Sequence, residues 1–200
     1  MLSQKEVGIE VLAITAPFQN CISKNGSDTI NDITYIRTSQ NTENSISDQR
    51  KSVLKRLLRV YAIVFFSQQL YKTIKKEKPD VLHAHAMFFC AIPSLVLGKV
   101  FNIPVVYEFR SLWMFQKSDS KNKTFINKKI ETLLLNIEIL CLKKAAHAVI
   151  LNENLKEFIF SKTNKPFKNT IINNAVNTSL IEKLKANKVS KKEDEMVFGY

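Results

Sequence analysis

Residues 78–113, KPDVLHAHAMFFCAIPSLVLGKVFNIPVVYEFRSLW, alternate short apolar runs with one helical stretch, and their polar groups fall where the runs end. Pro79 closes the Lys-rich segment before it and biases its neighbour toward extended geometry, so the pattern predicts a strand at Asp80–Leu82 that opens into His83, Ala84 and His85. Ile92, Leu95, Val96 and Val100 recur at helical spacing, which predicts a helix from about Phe88 to Val100. Asn102 and Pro104 close it before a second strand, Val105–Glu108. Strand, helix and strand in this order form a βαβ unit, whose strands are parallel and whose crossover is right-handed. In open sheets of this kind ligands bind outside the carboxyl ends of the strands. His85 and the segment Glu108–Arg110 both stand at such ends.

Outward from this unit, Ile33–Thr38, Ala148–Leu151 and Asn169–Asn173 read as further strands, and VGIEVLAITAP (residues 7–17) as an earlier one. Helices are expected at about Asp48–Lys76, Asn122–Ala146 and Leu155–Ser161. The alternation predicts an α/β fold, a Rossmann-like doubly wound parallel sheet. Lys128, Lys129, Glu131 and Glu138 interrupt the Leu-rich helix on the face expected to be wet. Thr38–Gln49 is rich in Ser, Asn, Thr and Gln without apolar periodicity, and reads as a mobile loop. The sequence contains no internal repeat.

With 200 residues, 45% hydrophobic and 24% charged, the chain suits one soluble α/β domain. Its longest apolar run, Val60–Phe66, falls far short of the roughly 20 residues a membrane span needs. Cys21, Cys90 and Cys141 are far apart, with no CxxC and no secretory signal ahead of them, and read as reduced cytosolic thiols. Thirty Lys and Arg against eighteen Asp and Glu give a formal net charge of +12, which favours anionic partners. Lys51, Lys55 and Arg59 recur every four residues beside Leu54, Leu57, Leu58, Tyr61, Val64 and Phe65, giving an amphipathic helix with a basic edge. Such an edge either docks on an anionic membrane surface or is the solvated side of a helix packed on the sheet. A helix-turn-helix, aromatic RNA-binding stretches and zinc-finger spacing are all lacking, so no nucleic-acid partner is expected.

Around the strand ends, His83 and His85 are expected to point to opposite faces, and no metal site is expected. Glu108 and Arg110 lie two residues apart on one side of an extended chain, placed to pair with each other or with a ligand. The Arg110 fork suits a carboxylate or phosphate. Trp113 offers a flat apolar surface for a sugar ring or, alternatively, a core contact. Asn152–Asn154 precede a helix and suit an N-cap.

HAH after PDVLH, then NIPVVYEFRSLW, then AHAVILNENLKEFI and IINNAVN, taken in that order, resemble family 4 glycosyltransferases of the GT-B type over about residues 9–200. The resemblance implies two Rossmann-like domains across a cleft, the first receiving the acceptor and the second holding a nucleotide sugar, with retention of anomeric configuration. On that pattern residues 1–182 are the acceptor-side domain, 183–195 a polar linker, and 196–200 the first strand of a donor domain. The family's opening strand with its Gly-rich loop, and the donor domain with its paired glutamates, have no counterpart here, so the chain is expected to be a fragment and inactive alone. His85 matches the family's cleft histidine near the donor's sugar and phosphate oxygens. On the acceptor, the two-point fork of Arg110 suits a phosphorylated or lipid-pyrophosphate group. Asn152 stands where the family often carries Ser at the cleft border. NNAVN (Asn173–Asn177, with Asn174 within it) matches an interdomain Asn-Gly-Val-Asp turn, with Ala175 replacing Gly and Asn177 replacing Asp. Because Gly accepts positive φ and Ala resists it, that turn is expected to be reshaped or relaxed. The implied partners are a nucleotide sugar as donor substrate, a glycan or lipid-linked acceptor, and a donor domain supplied by another chain; no resident cofactor is implied. The implied setting is cell-envelope polysaccharide synthesis in the cytoplasm, peripheral to the inner membrane face. The alternative is an inactive fragment or interaction module with the same fold.

Overall fold

The computed structural model describes residues 2–15, 26–30, 32–38, 52–85, 87–116, 125–163 and 165–175. In chain order these form α1 (Leu2–Glu6), β1 (Leu12–Ile14), β2 (Ser27–Ile30), β3 (Ile33–Ile36), α2 (Ser52–Glu77) and β4 (Leu82–His85). They continue with α3 (Phe88–Phe101), β5 (Val105–Phe109), α4 (Trp113–Gln116), α5 (Phe125–Lys144), β6 (His147–Ile150), α6 (Glu153–Ser161) and β7 (Asn169–Ile171). The expected linker at 183–195, the strand at 196–200 and most of the Thr38–Gln49 loop lie outside the described residues.

The strands form two sheets. One is four-stranded and wholly parallel, in the order β4-β5-β6-β7. Each crossover in it runs one strand onward in the same direction, and right-handed crossovers of that kind place their helices on one side. The packing agrees: Tyr107, Phe109, Ala148 and Ile150 from the strands share a buried cluster with Leu135, Ile139 and Leu142 of α5 and with Leu155 and Ile159 of α6. A second cluster joins Phe66, Leu70 and Ile74 of α2 to Leu82, Cys90 and Val105. The other sheet has the order β1-β3-β2, with β1 parallel and β2 antiparallel to β3. Strand β2 was not anticipated from SDTI, which carries a single aliphatic residue. It forms because Asp32 takes a left-handed φ of 58° and turns the chain back, and Arg37 ties it across at 2.7 Å to Asp28.

Two expectations on the quoted stretch are corrected. The strand does not end at Leu82: HAH belongs to it, and His85 is in register with Glu108. Nor does the whole apolar series of α3 face the core: Ile92, Val96 and Val100 are 41%, 57% and 67% exposed and Leu95 alone of the four packs against the buried clusters, while Ala91, Ser94 and Gly98 are buried. The cause is a close approach. A Cβ on Gly98 would stand 2.5 Å from Val105 Cγ2 and 2.8 Å from the Ile103 carbonyl oxygen, so only a small-residue face fits against β5. Asn102 then ends the helix in left-handed geometry with φ 56°.

Candidate functional site

Four parallel strands side by side deliver their C-terminal ends to one edge of the sheet. His85 ends β4, Glu108 and Arg110 mark the end of β5, Asn152 follows β6, and Asn174 follows β7. The residues picked from the sequence are therefore brought to the same edge by topology alone.

Side chains in a strand alternate, so residues two apart share a face. The expectation that His83 and His85 point apart is wrong for that reason: their rings lie 4.1 Å apart between centroids, and both reach the same carboxylate oxygen. His85 Nδ1 is 2.9 Å and His83 Nε2 3.3 Å from Glu108 Oε2, while Arg110 Nε donates to Oε1 at 2.7 Å. Glu108 is the centre of the cluster and its most sheltered member, with 16% side-chain exposure against 38% for His85 and 54% for Arg110. The cluster sits on the face of β4 and β5 opposite to Leu82, Ala84, Val105 and Tyr107, which the helices cover.

Burial lowers both imidazoles below their ordinary value of 6.5. At His83 the neighbouring His85 lowers it further and Glu108 opposes the shift. At His85 Glu108 opposes it and Arg110 adds to it. Both rings are thus favoured as neutral imidazoles at neutral pH. The Glu108 contact places the His85 proton on Nδ1 and leaves Nε2 as a hydrogen-bond acceptor.

A second carboxylate braces this region, on the side of its helix opposite to the one expected. Glu138 is not on the wet face of α5 but 0% exposed. Its Oε1 accepts from the Phe88 backbone N–H at 3.1 Å and from Trp113 Nε1–H at 2.8 Å, and its Oε2 accepts from the Tyr107 hydroxyl. Burial pushes the Glu138 carboxyl above its usual range, and the three donors pull it back. The charge also meets the N-terminus of α3, where the helix dipole is positive. The signal was present in the sequence: Leu135, Glu138 and Leu142 fall on one helical stripe with Ile139, the stripe that enters the core.

Trp113 is half-buried against Phe88 with its indole N–H committed to Glu138, so it fixes the segment after β5. Asn152 caps α6, its Oδ1 accepting from the Leu155 N–H at 2.8 Å. Asn174 is exposed, and Ala175 is not among the described residues with positive φ. Lys51 lies outside the described residues, as do the side chains of Lys55 and Arg59 in α2, so the basic edge has no structural description. An open hollow of about 370 Å³ along α2, lined by Val64, Ser67, Gln68, Tyr71 and Lys72, includes no residue of the cluster. Among the described residues no helix is long and apolar enough to cross a membrane.

The chain resembles a solved piece of sucrose-phosphate synthase from Thermosynechococcus elongatus, with 11% identity, a TM-score of 0.59, and coverage of 92% of this chain and 87% of that one. Against a longer structure of the same synthase the identity is 13%, the TM-score 0.62, and the match covers 89% of this chain but 41% of the synthase. No curated protein sequence matches. The likeness to the synthase shows the fold, the Rossmann-like α/β domain of a GT-B protein. The family model for Glycosyltransferase Family 4 matches residues 34–180, well over half of the sequence. Matched over that span, and carrying its strand-end cluster within it, this chain belongs to glycosyltransferase family 4.

Proposed function

We propose that the chain is the acceptor-side domain of a retaining sugar transferase, which moves a sugar from a nucleotide sugar to a glycan or lipid-linked acceptor in cell-envelope polysaccharide synthesis. The observation that carries this reading is the His85–Glu108–Arg110 cluster at the ends of adjacent parallel strands, where open α/β sheets bind ligands. Its polar groups divide the work. Glu108 holds the His85 proton on Nδ1, so Nε2 is directed as an acceptor toward a sugar hydroxyl. Arg110 uses Nε on Glu108, and the outer edge of its guanidinium presents further N–H donors to an acceptor phosphate. Transfer also requires donors that stabilise the departing diphosphate. In this reading they come from a donor domain beyond the residues described, whether in a longer chain or a partner, and the transfer step uses no resident metal. The 200 residues alone are then expected to turn over no sugar nucleotide. The expected location is cytoplasmic, with the basic edge of α2 against the inner membrane face.

The test is a titration of the chain, with EDTA present, by a soluble isoprenoid pyrophosphate as acceptor analogue. Saturable binding that weakens at least tenfold in both Arg110→Ala and His85→Ala is expected. Absence of binding to the unmutated chain, or binding indifferent to both changes, would remove the acceptor-side assignment.

A further inference from the structure

His83, His85 and Glu108 are the one group of three potential ligands among the described residues, with their donor atoms all within 4.8 Å of one another. We propose that these three side chains form a binding site for a single zinc-class divalent ion (Zn²⁺, Co²⁺ or Ni²⁺), held by His83 Nε2, His85 Nδ1 and Glu108 Oε2. Both nitrogens already converge on one oxygen, at 3.3 Å and 2.9 Å. Tetrahedral ligands about 2.0–2.1 Å from an ion stand about 3.3–3.4 Å apart, so the two carboxylate contacts fit with shifts of a few tenths of an ångström, and the two nitrogens, within 4.8 Å of each other, close by no more than about 1.5 Å through side-chain rotation.

The backbone supplies the preorganisation. The two histidines are fixed on one side of β4 by strand alternation, and Glu108 is fixed beside them by the His85–Glu108 register. Side-chain exposures of 29% for His83, 38% for His85 and 16% for Glu108 leave the cluster open to an entering ion and to a fourth, exchangeable ligand. Arg110 on Glu108 Oε1 orients the carboxylate from behind, as outer-shell partners of metal ligands do. Two imidazoles and one carboxylate select borderline ions, and Mg²⁺ and Ca²⁺ prefer all-oxygen surroundings. On the function proposed above, an ion here pins β4 to β5 and, by taking His85 Nδ1, puts that ring's proton on Nε2, which then no longer accepts from a sugar hydroxyl, so it inhibits acceptor binding. Ion binding itself does not depend on that function, and its measurement needs neither donor nor acceptor.

The experiment titrates the tag-free chain with Zn²⁺ in competition with a chromophoric chelator, and records the visible and near-ultraviolet spectrum of the Co²⁺ form. One ion per chain is expected, with no detectable Mg²⁺ binding. His83→Gln, His85→Gln and Glu108→Gln should each weaken binding by more than the roughly 10–100-fold that loss of an outer-shell partner alone causes. His147→Gln, which changes the third histidine of the sequence, and Cys21→Ser should bind as the unmutated chain does. No binding by the unmutated chain, or undiminished binding by a folded His83→Gln variant, overturns the proposal. If the cluster variants do not fold, the Co²⁺ spectrum decides: a nitrogen and oxygen environment supports the site, and a thiolate charge-transfer band refutes it.

Discussion

Replacing Glu138 should divide cleanly by whether the new side chain can still accept a hydrogen bond. In Glu138→Leu three donors lose their partner at once: the Phe88 N–H, the Trp113 indole N–H and the Tyr107 hydroxyl. Tyr107 is 0% exposed, so water cannot replace what it loses, and an orphaned buried donor costs about 1–3 kcal/mol. Phe88 and Trp113 are only half-buried and can partly rehydrate, at about 0.5–1.5 kcal/mol each. The total, about 2–6 kcal/mol, is a large share of the roughly 5–15 kcal/mol that separates a folded domain from its unfolded state. Glu138→Gln keeps a carbonyl oxygen for Phe88 and Trp113, and its amide N–H can donate to the Tyr107 oxygen, so about 1 kcal/mol is expected. Urea unfolding of the full chain, followed by circular dichroism, reads both variants. With a slope of about 1–3 kcal/mol per molar urea, Glu138→Leu lowers the midpoint by at least about 0.7 M. The pH dependence adds a signed check. Burial raises the Glu138 carboxyl in the folded state, so the folded chain binds the proton more tightly and this group's contribution is lost as pH rises through and above 4.5. The stability of the unmutated chain relative to Glu138→Gln should therefore fall as pH is raised from 4. A Glu138→Leu variant as stable as the original, or a Glu138→Gln variant as damaged as Glu138→Leu, would refute the bracing role.

Gly98→Ala gains about 1 kcal/mol of helix propensity but drives a methyl against Val105 and the Ile103 carbonyl, and backbone cannot rotate aside; a net loss of about 1–2 kcal/mol by thermal melting is expected, and a gain would contradict the close approach. Cys90 and Cys141 are buried thiols pushed up to about 12, so a thiol reagent at mildly alkaline pH should modify them only as fast as the α3–α5 layer opens, and urea should accelerate the reaction; rapid labelling without denaturant would show that layer to be loose. Asn152→Ala removes the cap of α6 and should cost about 1 kcal/mol in urea unfolding, whereas Asn152→Asp should restore it.

The βαβ unit was legible because its strands are short apolar runs, set off by Pro79 and Pro104, and its helix is long. Three features were not, each for a physical reason. Strand β2 owes its place to a reversal at Asp32 rather than to any apolar pattern of its own. The packed face of α3 is chosen by the backbone approach at Gly98, which overrides the hydrophobicity of Ile92, Val96 and Val100. Glu138 looks solvated by residue type, and only its place on the Leu135–Leu142 stripe marks it as buried. At the site, the two-residue period that sets Glu108 and Arg110 on one side of a strand sets His83 and His85 side by side as well. The sequence contained their convergence.

In the parallel sheet every strand neighbours the one that precedes it along the chain, from β4 through β7, and every joining helix returns to the same side. Each pairing closes a loop only as long as one crossover, from Leu82 to Val105, Val106 to His147 and Ala148 to Asn169, so the run from Leu82 to Ile171 can assemble by adding one strand–helix pair at a time. Both members of the strand-end cluster that matter most, His85 and Glu108, lie in its first two strands. During synthesis on the ribosome the strand-end corner would therefore be laid down before α5 arrives to lock it from behind through Glu138.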